Sequence, residues 1–176
     1  LVLNRCAELK ARHTLEKEHF KETEELTNRL RKGMIPDDIH KELADMLDHY
    51  GTTPIIVRSS SIMEDGYGNA FSGKYESIFC MNQGTKEERM EELEEAIRRV
   101  YASTMNEQAI EYRRKRHLLD VDEQMALLIQ QVAGQQYGDL YMPVAAGMGC
   151  SYNPYKWMEH LNPEAGMLRM VMGLGT

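Results

Sequence analysis

A mixed α+β or α/β fold is the class this sequence predicts, and three observations carry the prediction. Helical patterns come first, then strands mixed with helices, then strands. Short apolar runs of strand length, such as Ile55-Ile56-Val57, stand between charged segments of helical period. Apolar residues make up 42% of the 176 residues, enough for a core in one substantial domain or two small subdomains.

The elements follow in order. Residues 4–31 are highly charged, with Leu9, Leu15, Phe20, Leu26 and Leu30 at apolar positions. That pattern predicts a long surface helix with a modest apolar stripe. Gly33 and Pro36 punctuate it. Asp37 and Asp38 open a second helix with Ile39, Leu43, Met46 and Leu47 on its inner face, and Gly51 ends it. Residues 54–59 fit a buried strand. A loop rich in Ser, Gly and Asn follows over 60–73. Residues 75–81 alternate around Ile78 and Phe79 and predict a second strand. Residues 86–102 form a charged amphipathic pattern with Leu93, Ile97 and Val100 inward. Asn106 is placed to cap a further helix running to about His117. Residues 125–132 read as a buried strand. Residues 143–152 carry glycines and small side chains, as in a strand with close backbone approach. Residues 168–172 predict a last short strand leading into Gly173-Leu174-Gly175. Two lobes are expected to meet near 120–124.

Charge and composition narrow the function classes. The net charge of -7 argues against a general electrostatic binder of nucleic acid. The run Arg113-Arg114-Lys115-Arg116 is either a solvated helix end or a local basic patch. Cys6, Cys80 and Cys150 are widely separated and lack CxxC spacing, so reduced, mostly buried thiols in a cytoplasmic protein are expected. The six histidines are scattered, and none pairs with a cysteine at metal-ligand spacing. No apolar run approaches the roughly 20 residues of a membrane span, and no signal peptide is read. The 13 methionines read as flexible core filling. The start at Leu1 and the end at Gly175-Thr176 look cut, which predicts a fragment of a larger polypeptide. A truncated sheet edge at such an end would favour a homo-oligomer.

One motif misleads. Gly68 to Lys74 match GxxxxGK, the start of a phosphate-binding P-loop, but Tyr75 stands where a Ser or Thr would hold magnesium. A P-loop also opens a helix, whose N-terminus binds phosphate, whereas a strand is expected next. The segment reads instead as a flexible loop or as a glycine-containing lid over phosphates. The run Val57-Arg58-Ser59-Ser60-Ser61 is more informative. An arginine leaving a buried strand is fixed at its backbone and can aim its planar fork at a phosphate or a carboxylate. Neighbouring hydroxyls can donate to the same anion. Glu64 and Asp65 follow closely and could orient the arginine or hold a metal. Spacing leaves two readings of Arg58 open: a phosphate contact, or an ion pair that closes a loop. The backbone at Gln130-Gln131-Val132-Ala133, just past a strand, is either an ordinary strand end or a place for an adenine edge. Gly173 and Gly175 could let backbone approach a ligand. No nucleophile–base pair stands out: Ser59, Ser60 and Ser61 have no histidine at informative spacing, and His117 and His160 read as surface or satisfied residues.

Residues 57–77 (VRSSSIMEDGYGNAFSGKYES) resemble the nucleotide-binding signature of the phosphoenolpyruvate synthase and pyruvate phosphate dikinase family. That signature has an arginine, two serines, a Glu-Asp pair and a Ser-Phe-Ala-Gly stretch, here Ala70-Phe71-Ser72-Gly73. The resemblance continues in order. Residues 96–113 look like the family's Tyr-Ala-Ser and Ala-x-x-Tyr-Arg helix pair. Residues 125–132 are similar to its strand ending in Gln-x-Met-Val. Residues 146–154 (AGMGCSYNP) look like its Ala-Gly-Val-x-Phe-Thr-x-Asn-Pro, and Gly173 to Gly175 match its Gly-Leu-Gly. The ordered matches cover roughly residues 54–176.

The resemblance implies a partial ATP-grasp-like domain: a helical segment over 1–50, a first lobe over 51–122 and the start of a second lobe over 123–176. It implies ATP and, for the parent protein, Mg2+ as cofactors. It places Arg58 and Ser59 at ATP phosphates, Gln131 and Val132 near adenine, and Gly173 and Gly175 close to the nucleotide. Phosphate would pass from ATP to a histidine on a separate domain, and then to pyruvate on another. ATP, pyruvate and the phosphohistidine domain are therefore the implied partners, with no nucleic acid and no membrane. The family's lysine before the first helices, its acidic metal ligands after Gly-Leu-Gly and its phosphohistidine segment are not found in these 176 residues. Thr176 stands where the family has glutamate, and residues 135–142 look like an insertion. Two alternatives stay open: a nucleotide-sensing module without catalysis, or a dikinase with another acceptor such as glucan or rifampicin.

Overall fold

The computed structural model describes residues 20–61, 63–64, 73–119, 124–153, 158 and 160–174. It divides into two compact units, Leu1–Gln131 and Val132–Thr176.

In the first unit, helix α1 (Phe20–Arg31) is followed by α2 (Asp37–Tyr50), strand β1 (Ile55–Ser61), β2 (Ser77–Cys80), helices α3 (Lys86–Ala102) and α4 (Glu107–Lys115), and β3 (Met125–Gln131). The strands form an antiparallel sheet in the order β2-β1-β3. Side chains alternate across a strand, so Ile55 and Val57 face one side of β1 and are fully buried. They join Leu43 and Leu47 of α2, Met90, Leu93, Ala96, Ile97 and Val100 of α3, and Cys80 of β2 in one apolar core. Fully burying a side chain of this size contributes about 1.5–3 kcal/mol.

The inward positions expected for α3 are all in this core. On α2, Leu43 and Leu47 are buried, but Ile39 is 47% exposed, so its expected inner position is corrected. It lies one turn before Leu43, ahead of the core. Of the stripe expected on the first helix, Leu26 and Leu30 are buried and pack with Ala102 and Met105. Leu9 and Leu15 lie outside the described residues.

Local chemistry sets the element ends. Gly51 closes α2 with φ +62 while its N–H donates to Leu47 O, a conformation that favours glycine. Thr85 and Glu88 form a reciprocal capping box at the start of α3. Asn106 is the N-cap residue of α4, but its side chain makes no cap hydrogen bond.

A polar knot ties β2 to the helices. The Glu92 carboxylate accepts from the backbone N–H groups of Met81 and Asn82, both at 2.9 Å. The buried Asn82 amide donates to Gly51 O at 2.9 Å and to Thr53 O at 2.7 Å. These bonds hold the entry to β1. His40–Glu94 and Lys86–Asp48 pairs, at 2.6 and 2.7 Å, join α2 to α3.

The basic run at the end of α4 is not uniformly solvated, which corrects the expectation. Arg114 and Lys115 pair with Glu111 at the surface, and Arg116 lies over the Tyr112 ring. Arg113 is only 6% exposed and donates to Thr104 O at 2.5 Å. It serves as an internal strap between α4 and the preceding turn.

In the second unit, β4 (Gln135–Tyr137) and β5 (Leu140–Met142) form a hairpin, and β6 (Ala145–Cys150) pairs antiparallel with β7 (Met167–Met172). The segment that looked like an insertion is therefore regular structure. Its two-residue turn is Gly138-Asp139, with Gly138 at φ +61. The close backbone approach expected for 143–152 falls at Gly147, where an added Cβ would collide with Arg169 O. The junction expected near 120–124 lies mostly outside the described residues, and β3, expected beyond it, belongs to the sheet of the first unit. Among the described residues no helix is long and apolar enough to cross a membrane.

Candidate functional site: the open face of the first sheet

Helices cover one face of the β2-β1-β3 sheet, and the opposite face carries the sequence-predicted arginine. Register defines that face. Arg58 stands opposite Ser77 on β2 and Leu128 on β3. One rung away along the same face, Ile56 stands between Phe79 and Gln130. Arg58, Ser77 and Gln130 are exposed, and Phe79 and Leu128 keep 40% and 45% of their surface in solvent. The result is a cation at the centre of a sheet, flanked by apolar side chains. Such a surface can take a ligand with an anionic part and a flat apolar part.

Among the described residues no carboxylate pairs with Arg58. Glu64 is the nearest acidic residue in sequence, but both of its oxygens are engaged elsewhere. Oε1 accepts from Ser59 Oγ at 2.9 Å, and Oε2 accepts from the Ser61 backbone N–H at 3.0 Å. Asp65 lies outside the described residues.

The other predicted residues are placed as follows. Ser59 shares the helix-covered side of β1 and spends its hydroxyl on Glu64. Ser60 is exposed and shares the side of Arg58. Alternation from Arg58 singles out Ser60, Ile56 and, through the register, Leu128 and Gln130, whereas the family resemblance implies Ser59. Gln131 ends β3 opposite Ile55, and its side chain donates to Tyr50 O at 3.4 Å. Val132 is buried, and its carbonyl accepts from Tyr141 Oη at 3.3 Å. Gly173 has φ +77, and its N–H donates to Val144 O at 3.1 Å. Gly175 lies outside the described residues.

Downstream of the P-loop-like stretch, Gly73-Lys74 leads into strand β2, not into a helix. The Lys74 ammonium sits 5.6 Å from the Tyr112 ring centroid. The stretch 65–72 itself lies outside the described residues. Among the described residues no group of three or more His, Cys, Asp or Glu side chains stands where it could hold a metal.

The fold is mixed α+β, and the family match makes it a nucleotide-binding domain of the ATP-grasp type. Residues 5–176 match the family profile described as pyruvate phosphate dikinase, AMP/ATP-binding domain, and the chain belongs to that family of dikinase phosphotransferase domains. No curated protein gives a significant match to the chain.

Proposed function

We propose that the open face of the β2-β1-β3 sheet is one wall of the ATP site, with Arg58 as a phosphate ligand. The observation that carries this reading is an exposed strand-borne guanidinium on the sheet face that no described helix covers, with no carboxylate partner among the described residues. A planar fork held at its backbone suits phosphate oxygens.

The register sets a distance, with the Gln131 side chain turned to the helix-covered side opposite buried Ile55. Arg58 and Ile55 are three residues apart on β1, and Ile55 stands opposite Gln131. Three residues span about 10 Å along a strand, comparable to the distance from a purine to the outer phosphates of an extended nucleoside triphosphate. The backbone at Gln131 and Val132 would then meet the purine while Arg58 meets the phosphates. Ser59 would act through the backbone it helps to fix.

In the parent protein this wall would serve phosphoryl transfer from magnesium-bound ATP to a histidine on another domain, and onward to pyruvate. Such chemistry depends mainly on positioning and on neutralising charge. The 176-residue chain by itself would bind ATP weakly and turn over no pyruvate.

An NMR titration of the chain with ATP tests the reading. Shifts at Arg58, Leu128 and Gln131 are expected, with Arg58→Ala weakening the affinity about ten- to hundredfold, the loss for one charge-assisted contact. A wild-type chain that gives no shifts on this face, or an Arg58→Ala chain that binds equally well, would overturn it.

A further inference from the structure

The end of β1 has a support that the ATP-site reading does not use. β2 ends its pairing at Ser77, opposite Arg58, so among the described residues Ser59 to Ser61 have a partner strand on the β3 side only. The backbone donors on the other side need other acceptors. Glu64 supplies one. One oxygen takes the Ser59 hydroxyl and the other takes the Ser61 N–H, at 2.9 and 3.0 Å. The Glu64 N–H in turn donates to Ser61 O at 3.0 Å, and the Met63 N–H donates to Ser61 Oγ at 3.0 Å. The carboxylate thus bridges two alternate residues of the strand on the side away from Arg58.

We propose that Glu64 is a positioning residue for the nucleotide site. Its carboxylate staples Ser59 and Ser61, and this sets the direction in which the residues between and beside them, Ser60 and Arg58, leave the sheet. Ser60 then stands next to Arg58 on the open face as a second donor to the same phosphate. The role rests on the reading of Arg58 as a phosphate ligand. A carboxylate accepts from both partners with charge-assisted bonds. An amide offers one acceptor oxygen and can meet Ser59 only by donating to its hydroxyl oxygen, so both bonds become neutral and weaker.

The experiment is a double-mutant cycle on ATP affinity, read by NMR titration of the 176-residue chain. Glu64→Gln is expected to weaken ATP binding about three- to tenfold, the effect of one hydrogen bond's worth of misalignment. Ser59→Ala, which removes one arm of the staple, should weaken it by less. In an Arg58→Ala background Glu64→Gln should have almost no further effect, because its influence passes through Arg58. A merely structural role would lower the melting temperature and leave the affinity of the folded chain, and its dependence on Arg58, unchanged. Full affinity in Glu64→Gln, or an equal loss with and without Arg58, overturns the proposal. If Glu64→Gln does not fold, Ser59→Ala carries the same cycle, and full affinity there overturns it. A wild-type chain that does not bind ATP overturns the nucleotide reading and the positioning role with it.

Discussion

Leu47, Ile55, Val57, Leu93 and Val100 in the first unit are fully enclosed, while in the described part of Val132–Thr176 only Val132 and Asn153 are buried. Large side chains of the second unit, such as Leu168, Met170 and Met172, are 60–86% exposed. The two regions are held by different forces. A sheet roofed on one side by helices converts alternating side chains into apolar burial. A two-stranded sheet offers no enclosed face, so its order rests on the backbone ladder and on small residues that let the strands close up. The difference matters for function because the arginine of the candidate site belongs to the first kind of structure. Its strand is central, and the face behind it is packed.

Thiol chemistry should separate the two regions most widely. Cys80 is 1% exposed in the core. Burial, followed by the nearby Glu92 charge, pushes its thiol up from 9.0 to about 12. Cys150 is half-buried in the second unit. In a Cys6→Ser background at pH 8, Cys150 should react with a thiol reagent at least about a thousandfold faster than Cys80, whose labelling must await opening of the core. Comparable rates would erase the distinction. The same shift makes stability pH-dependent. Between about 9 and 12 the folded chain keeps a proton that the unfolded chain has released. The contribution is therefore intact below pH 9 and is lost as the pH rises toward 12. Cys80→Ala should flatten that alkaline loss in denaturation curves.

Core truncation comes next in size. Leu93→Ala removes a fully enclosed side chain and should cost about 2–5 kcal/mol in chemical denaturation, transfer and cavity terms together. A cost below 1 kcal/mol would mean that the helices are not packed on the sheet as described.

The same contrast explains what could be read from the sequence. The 3.6-residue period of residues 86–102 identified Leu93, Ile97 and Val100, because a helix lying on a sheet must bury one stripe. The Ile55-Ile56-Val57 run gave β1 for the same reason. Ile39 was misplaced because periodicity marks a stripe but not where along it the core begins. Strand β3 was expected to be buried, yet Leu128 is 45% exposed, since a single sequence does not say whether both faces of a sheet are covered. The hairpin at 135–142 was missed although Gly138-Asp139 is a two-residue turn signal. Its strands are three residues each and enclose no side chain fully, so they are too short to show an apolar period. At the candidate site, residue chemistry singles out Arg58 with two readings open. Ser60 and Leu128 needed the register, which only the folded sheet supplies.

Within the second unit, a single rung sharpens the comparison, because Gly147 on β6 stands opposite Met170 on β7. Gly147→Ala puts a methyl group against Arg169 O and the Met170 backbone. The partner strand must move, so a cost of about 1–3 kcal/mol is expected, visible as faster amide exchange along β6 and β7. Met170→Ala should be the mildest change of all. Its side chain is 60% exposed, so truncation removes little buried surface and leaves no cavity, and the shift should stay within about 0.5 kcal/mol. Exchange along the two strands should be unchanged. The larger residue would then matter less than the glycine it faces, which is the expected order where backbone proximity holds the structure. A cost above about 2 kcal/mol for Met170→Ala would reverse that order. It would show that the side chain is covered in solution, and that the second unit, like the first, is stabilised by apolar burial.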